Sequence, residues 1–177
     1  DINWMSAGSG IVHSERAVDV DRHRDRPLFG LQLWCALPAA LEESAPTFAH
    51  HPKATLPVID DGGVVRTVYA GSAFGLTSPV QTMSPLLYAS MRLPAGARCA
   101  LPDGLDERAL YVVDGAVTCG DRLVERGQML TFDRAEDVVV EAGVDGAFVV
   151  VLDGASLGHR FLNWYFCASR RDLIDGA

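Results

Sequence analysis

Short apolar runs of strand length recur through most of the sequence, and turn-forming residues separate them. From residue 56 onward the runs follow one another at intervals of about 8–12 residues, the spacing expected of all-β domains. They are Val64–Tyr69, Leu86–Leu93, Ala109–Val113, Ala116–Cys119, Gln128–Phe132, Val138–Ala142 and Ala147–Leu152. Several of the intervening turns contain Asp-Gly, which is a strong hairpin signal between apolar runs. No helical segment separates the runs, so the pattern predicts an all-β sandwich or barrel.

The two ends of the sequence depart from this pattern. Three further strands are predicted near the start: Ile2–Met5, Gly10–Glu15 and Phe29–Leu37. Between the last two, Arg16–Pro27 has the dense mixed charge of a surface loop. Ala39–Pro57 contains three prolines and little periodicity, which is typical of a linker between domains. Only Ser169–Ala177 has a helical pattern.

Composition excludes several functional classes. The net charge of −8 disfavours direct binding to nucleic acid, which requires a basic face. No apolar run approaches the length of a membrane span, and no secretory signal is visible. The cysteines are scattered and form no Cys-x-x-Cys, a usage typical of a reducing compartment, so we expect a cytoplasmic protein.

The best candidate for chemistry is the pair His13 and Glu15. If Gly10–Glu15 is a strand, the two side chains project from one face, because residues i and i+2 of a strand point the same way. An imidazole and a carboxylate on one face suit a first-row transition metal. The same two groups could also form a plain hydrogen-bonded pair.

Several motifs near the start resemble the pirin family of the cupin superfamily. They are Asn3-Trp4-Met5, Ala7-Gly8-x-Gly10-Ile11-Val12-His13-Ser14-Glu15, Gly30-Leu31-Gln32-Leu33-Trp34 and Leu37-Pro38, with weaker matches at Tyr111-Val112-Val113-x-Gly115 and Asn163-Trp164-x-Phe166. The resemblance implies two cupin-type, double-stranded β-helix or jelly-roll barrels. It also implies one mononuclear non-haem iron in the first barrel, held by three histidines and one glutamate. By resemblance, His13 is the last of those histidines and Glu15 is the carboxylate.

The family's other two ligands form a His-x-His pair upstream of His13, and this sequence contains no His-x-His. We therefore expect residues 1–43 to be the C-terminal portion of the first, metal-site barrel with the start of the linker. Residues 44–177 are expected to form the complete second barrel, ending in a short helix. With two imidazole ligands missing, we expect this chain alone to hold iron weakly or not at all, because each ligand was a preorganised donor.

The second barrel can be tested for a site of its own. The cupin superfamily's first motif, anchored on Gly96 and Gly115, places Pro102, Gly104 and Arg108 at the ligand positions, and the second motif places Leu130 at its histidine position. Their side chains are not metal ligands. This barrel is therefore predicted to be a scaffold without metal.

The resemblance implies, for the intact protein, a ring-opening oxygenase of the quercetin 2,3-dioxygenase type, with a flavonol-like substrate. His13 would then be a neutral imidazole ligand, and Glu15 a ligand that also accepts the substrate proton. The rival hypothesis is a non-enzymatic co-regulator that binds a protein partner. An incomplete barrel would expose strand edges, so self-association through those edges is a further expectation.

Overall fold

The computed structural model describes residues 1–14, 29–133 and 137–176. These residues are mostly β-strand, as predicted, with one short α-helix. In chain order the elements are β1 (Ile2–Ser6), β2 (Thr47–His51), β3 (Val58–Asp61), β4 (Val64–Ala70), β5 (Ser72–Ala73), β6 (Leu76–Thr77), β7 (Leu86–Leu93), β8 (Arg98–Ala100), β9 (Glu107–Cys119), β10 (Arg122–Glu125), β11 (Met129–Phe132), β12 (Val139–Gly154), β13 (Phe161–Asn163), β14 (Phe166–Ala168) and α1 (Arg171–Asp175). The described part holds no helix with the length and apolar character needed to span a bilayer.

The chain divides into two compact units. The first unit combines Asp1–Trp4 with Phe48–Ser156, and the second combines Met5–Thr47 with Leu157–Ala177. Residues 157–177 therefore cluster with the N-terminal segment rather than with the strands that precede them. The assignment of residues 1–43 to a first barrel and 44–177 to a second stays a prediction.

One large antiparallel sheet forms the first unit. Its strand order is β10-β9-β12-β7-β4-β3, with β11 also paired to β9 and β8 to β12. β12 is the central element: its first part pairs with β8 and the end of β9. Its second part lies between β7 and the start of β9. The sheet therefore bends along β12, and side chains from strands at both of its ends meet in one core.

That core is lined by alternate residues of each strand. On β7, Leu87, Ala89, Met91 and Leu93 are buried in the main apolar cluster. The same cluster takes Val64 and Val68 from β4, Leu110 and Val112 from β9, and Val149 and Val151 from β12, with contributions from β8, β10 and β11. Each fully buried aliphatic side chain of this kind stabilises the fold by about 1.5–3 kcal/mol. The strands at both ends of the curved sheet therefore share one core.

The opposite face of the same strands carries a second, smaller apolar layer. Val113, Phe148 and Val150 are buried there, with Tyr88 packed against them. Burial raises the pKa of the Tyr88 phenol to about 12, and the neighbouring Tyr69 adds to the shift. The second part of β12 therefore packs against apolar layers on both faces, which is why Ala147–Leu152 is a continuous apolar run rather than an alternating one.

Two predicted hairpin turns are wrong. Asp114-Gly115 lies inside β9, so the predicted runs Ala109–Val113 and Ala116–Cys119 belong to one strand. Asp145-Gly146 lies inside β12, which likewise joins the runs Val138–Ala142 and Ala147–Leu152 and begins at Val139. The register between β9 and β12 shifts here, between Ala142 and Ala147, as at a β-bulge. Gly115 and Gly146 have φ of +70° and +78°. Both a β-bulge and a tight hairpin turn need a residue with positive φ, and the glycine of Asp-Gly can provide it in either.

We predict that Gly115→Ala lowers the free energy of unfolding by about 3 kcal/mol, because an added Cβ would meet the Gly146 carbonyl oxygen in a left-handed backbone. Gly120→Ala is the matched control, since Gly120 has φ of +56° but no atom within 4 Å of the added Cβ. It should lower stability by only about 1 kcal/mol. Urea unfolding followed by circular dichroism measures both, and equal losses would contradict the bulge account.

Candidate functional site

His13 lies in a segment without regular structure. The predicted strand Gly10–Glu15 is wrong over residues 10–14, which form no strand in the described part of the chain. Gly10 has φ of +136°, outside the strand region, and Val12 is 98% exposed. His13 itself is exposed. Glu15 lies outside the described residues, so the shared face of His13 and Glu15 stays a prediction.

Phe29–Leu37 was also predicted to be a strand, and this is wrong. These residues carry the alternating pattern of a strand, but none of them pairs with a strand in the described structure. A strand needs a neighbour to accept its backbone hydrogen bonds, and alternation in the sequence does not supply one. Trp34 is half-exposed, and its ring centroid lies 6.4 Å from that of Tyr165.

A buried carboxylate, Glu42, organises the second unit. Its Oε1 accepts the backbone N–H of Ser169 at 2.7 Å, and its Oε2 accepts the Ser169 hydroxyl at 2.7 Å. Arg160 Nε lies 3.2 Å from Oε1, an ion pair with both side chains almost fully buried. That N–H is not aligned for a hydrogen bond, so the contact is mainly coulombic.

The guanidinium of Arg160 is held by backbone carbonyls as well. Its Nη1 donates to the carbonyls of Leu157 at 2.7 Å and His159 at 3.0 Å, and its Nη2 donates to Leu37 at 2.9 Å. The ion pair and these bonds join residues 37–42 to residues 157–169. No local sequence signal points to this cluster, because the partners are far apart in the chain and neither stands in a recognisable motif.

We predict that Glu42→Gln destabilises the second unit by about 3 kcal/mol, because it leaves the buried Arg160 charge uncompensated. Glu43→Gln is the matched control: Glu43 pairs with Arg170 at 3.2 Å, but both side chains are more than half exposed, so its loss should cost below about 0.5 kcal/mol. Trp34 and Trp164 lie in this unit and report its unfolding by fluorescence. Equal midpoints in urea for the two variants would overturn the assignment.

The cupin ligand positions of the barrel come together around one arginine. Arg108 is 4% exposed and donates from Nη1 to the Pro102 carbonyl at 3.0 Å. A Cβ added to Gly104 would lie 3.0 Å from Arg108 Cδ. Leu130 packs against the barrel core. The side chain of Arg108 therefore occupies the region in which the motif would place ligands.

Next to Arg108 lies a buried acid, Asp153, which was not among the predicted site residues. Asp153 pairs across the strands with Arg108, and both of its carboxylate oxygens accept the Leu105 N–H, at 2.9 and 2.8 Å. Burial raises the pKa of Asp153, while the hydrogen bond from Leu105 and the Arg108 charge oppose the shift. The sequence signal that could have identified Asp153 is its position directly after the continuous apolar run Ala147–Leu152.

No three His, Cys, Asp or Glu side chains lie together as a possible metal site in residues 1–14, 29–133 and 137–176. Of the predicted pair of ligands, this part of the chain contains only His13. The residues that the structure describes therefore do not by themselves fit a mononuclear metal site.

Comparison with known proteins identifies the family. Residues 88–177 match the model of the Pirin C-terminal cupin domain. The chain belongs to the pirin family. A Pirin-like protein of Caulobacter vibrioides is 41% identical over 178 residues, which cover 100% of this chain and 61% of that protein. Human Pirin is 32% identical over 122 residues, or 68% of this chain and 40% of that protein.

A second group of relatives carries an enzymatic name. PA2418 of Pseudomonas aeruginosa, whose name assigns it provisionally to the quercetin 2,3-dioxygenases, is 31% identical over 185 residues. The match covers 100% of this chain and 63% of that protein. This pirin-family chain thus spans about half to two thirds of the length of these bacterial relatives.

Solved structures confirm the cupin fold. Quercetin 2,3-dioxygenase from Acinetobacter baumannii superposes with a TM-score of 0.71 at 21% identity, over 81% of this chain and 51% of that one. GK1651 from Geobacillus kaustophilus superposes with a TM-score of 0.70 at 24% identity, over 89% of this chain and 64% of that one. The predicted cupin-type β-fold is confirmed, as is the pirin resemblance read from the N-terminal motifs.

Proposed function

We propose that the intact protein is a metal-dependent, ring-opening dioxygenase of the quercetin 2,3-dioxygenase type, acting on a flavonol-like small molecule. The observation that carries the proposal is the 31% identity to PA2418 over a match that covers the whole of this chain. The metal is proposed to be iron. His13 and Glu15 are proposed as two of its ligands, and Glu15 as the group that accepts the substrate proton.

The interior of the barrel supports this assignment of roles. Arg108 is a buried cation at the second barrel's ligand positions, and a cation there repels a metal ion. Pro102 and Leu130 offer no side-chain donor. His13, by contrast, is exposed and free of secondary structure, so its imidazole is accessible to a ligand.

The test is quercetin turnover by the intact, iron-loaded protein, followed by the loss of the flavonol absorbance. We expect His13→Ala and Glu15→Gln each to lower kcat/KM at least 100-fold and to lower bound iron, because each removes a ligand. His50→Ala is the control: His50 is also an exposed histidine, hydrogen-bonded to Asn3 at 2.7 Å, and its loss should leave activity within twofold. Absence of turnover in the iron-loaded protein, or full activity of His13→Ala, would remove the proposal.

A second candidate is a non-enzymatic co-regulator that binds a protein partner. The observation that favours it is the exposed aromatic hairpin of the second unit, where Trp164 is 82% and Tyr165 is 72% exposed. Their rings lie 5.5 Å apart, and exposed apolar clusters of this kind mark interaction sites. Self-association through strand edges is the simplest form of such an interaction. Metal-dependent partner binding without quercetin turnover would select this candidate.

A further inference from the structure

Arg66 is a second arginine that points into the barrel of the first unit. It lies on β4 between Val64 and Val68, whose side chains are in the core, and strand residues i and i+2 share a face. Its side chain is 13% exposed, whereas that of Asp61 beside it is 76% exposed. The guanidinium thus lies at the border between the barrel interior and solvent.

The hydrogen-bond partners of this guanidinium are poor. Nη2 donates to Cys99 Sγ at 3.2 Å, and a thiol is a weak acceptor. Nη1 lies 3.6 Å from a carboxylate oxygen of Asp61, beyond hydrogen-bonding distance. Nε is buried and has no acceptor among the described residues. A planar cation with N–H groups left to donate is suited to the two oxygens of a carboxylate.

The ring that covers Arg66 is held in an unfavourable backbone conformation. Phe74 stands in the two-residue turn between β5 and β6 with φ of +56°, and Gly75 follows with φ of +73°. Such turns favour Asn or Asp before the glycine, because a residue with a bulky side chain disfavours positive φ. Phe74 therefore has no advantage for the turn itself.

What Phe74 contributes is the placement of its ring. The ring packs against the barrel core, and the Arg66 guanidinium carbon lies 5.4 Å from its centroid. The turn around it is open, since a Cβ added to Gly75 would meet nothing within 4 Å. The ring is thus a cover on a short hairpin that faces solvent, placed over an undersatisfied cation.

We propose that Arg66 is a binding site for an aromatic monocarboxylate, and that Phe74 is its gate. The carboxylate pairs with the guanidinium, and the ring of the ligand takes the place that the Phe74 ring leaves as the β5–β6 hairpin swings outward. Affinity for the unmodified protein is reduced by the fraction of molecules in the closed state. The proposal uses neither His13 nor Glu15 and does not depend on the proposed dioxygenase activity.

The probe is sodium benzoate, titrated into the full chain and followed by calorimetry and by amide chemical shifts. We expect saturable millimolar binding to the unmodified chain, and binding at least tenfold tighter in Phe74→Asn. Asparagine tolerates the left-handed turn, so this variant should fold while removing the ring. Adding Arg66→Met to Phe74→Asn should weaken benzoate binding at least tenfold.

Arg92→Met in the same Phe74→Asn background is the matched control, because Arg92 also covers an aromatic ring, that of Phe148 at 3.8 Å, on the other face of the sheet. It should leave benzoate binding unchanged. If Arg66→Met does not fold, Arg66→Lys keeps the charge without the bidentate geometry, and it should still weaken binding severalfold.

Two further probes decide what is recognised. Benzyl alcohol has the ring without the charge, and acetate has the charge without the ring, so each should bind at least tenfold more weakly than benzoate. Equal binding of benzyl alcohol and benzoate would reduce the site to an apolar cavity and overturn the proposal. Absence of saturable benzoate binding, or benzoate binding unaffected by both Arg66 substitutions, would also overturn it.

Discussion

The long antiparallel pairing of β9 with β12 is the interaction on which the rest of the barrel depends. β12 contributes backbone hydrogen bonds to β7, β8 and β9, so each of these three strands would lose one neighbour without it. The pairing stays continuous while the sheet bends, because Gly115 and Gly146 take the positive φ that the bulge requires. Side chains from both faces of Ala147–Leu152, in the second part of β12, then enter apolar clusters.

The buried charged side chains of the barrel have hydrogen-bond partners within it. Arg108 is held by the Pro102 carbonyl and stands opposite Asp153, whose carboxylate accepts the Leu105 N–H. These partners make a buried cation tolerable at the position where other cupins place metal ligands. In this part of the barrel interior the motif's ligand position is thus occupied by a buried arginine. In the second unit, the Glu42–Arg160 pair joins distant segments of the chain.

The sequence predicted those elements whose signal is local. Leu86–Leu93 was predicted with its observed ends, because a run of apolar residues between turns specifies both the strand and its limits. The spacing of a known motif also placed Pro102, Gly104 and Arg108 at ligand positions, where none of them is a ligand type. Asp114-Gly115 was misread, since positive φ is common to turns and bulges and only the partner strand distinguishes them.

Segments 10–14 and 29–37 were misread for a related reason. Their alternation describes which face a side chain would take in a sheet, but a sheet forms only where another strand is available. The Glu42–Arg160 pair could not be predicted, because nothing local links two charges that far apart in sequence. Whether a charged side chain is buried depends on the folded chain around it, so the sequence alone does not specify it.

We propose that metal binds at the His13 segment and not in the barrel interior. The test is a titration of paramagnetic Ni²⁺, a metal ion that imidazole binds well, into the isotopically labelled chain. Binding is followed by the line broadening of the amide signals. The account predicts broadening around His13 that disappears in His13→Ala, with the interior amides of Leu110 and Leu130 left sharp. Broadening centred on Leu110 and Leu130, and unchanged in His13→Ala, would contradict it.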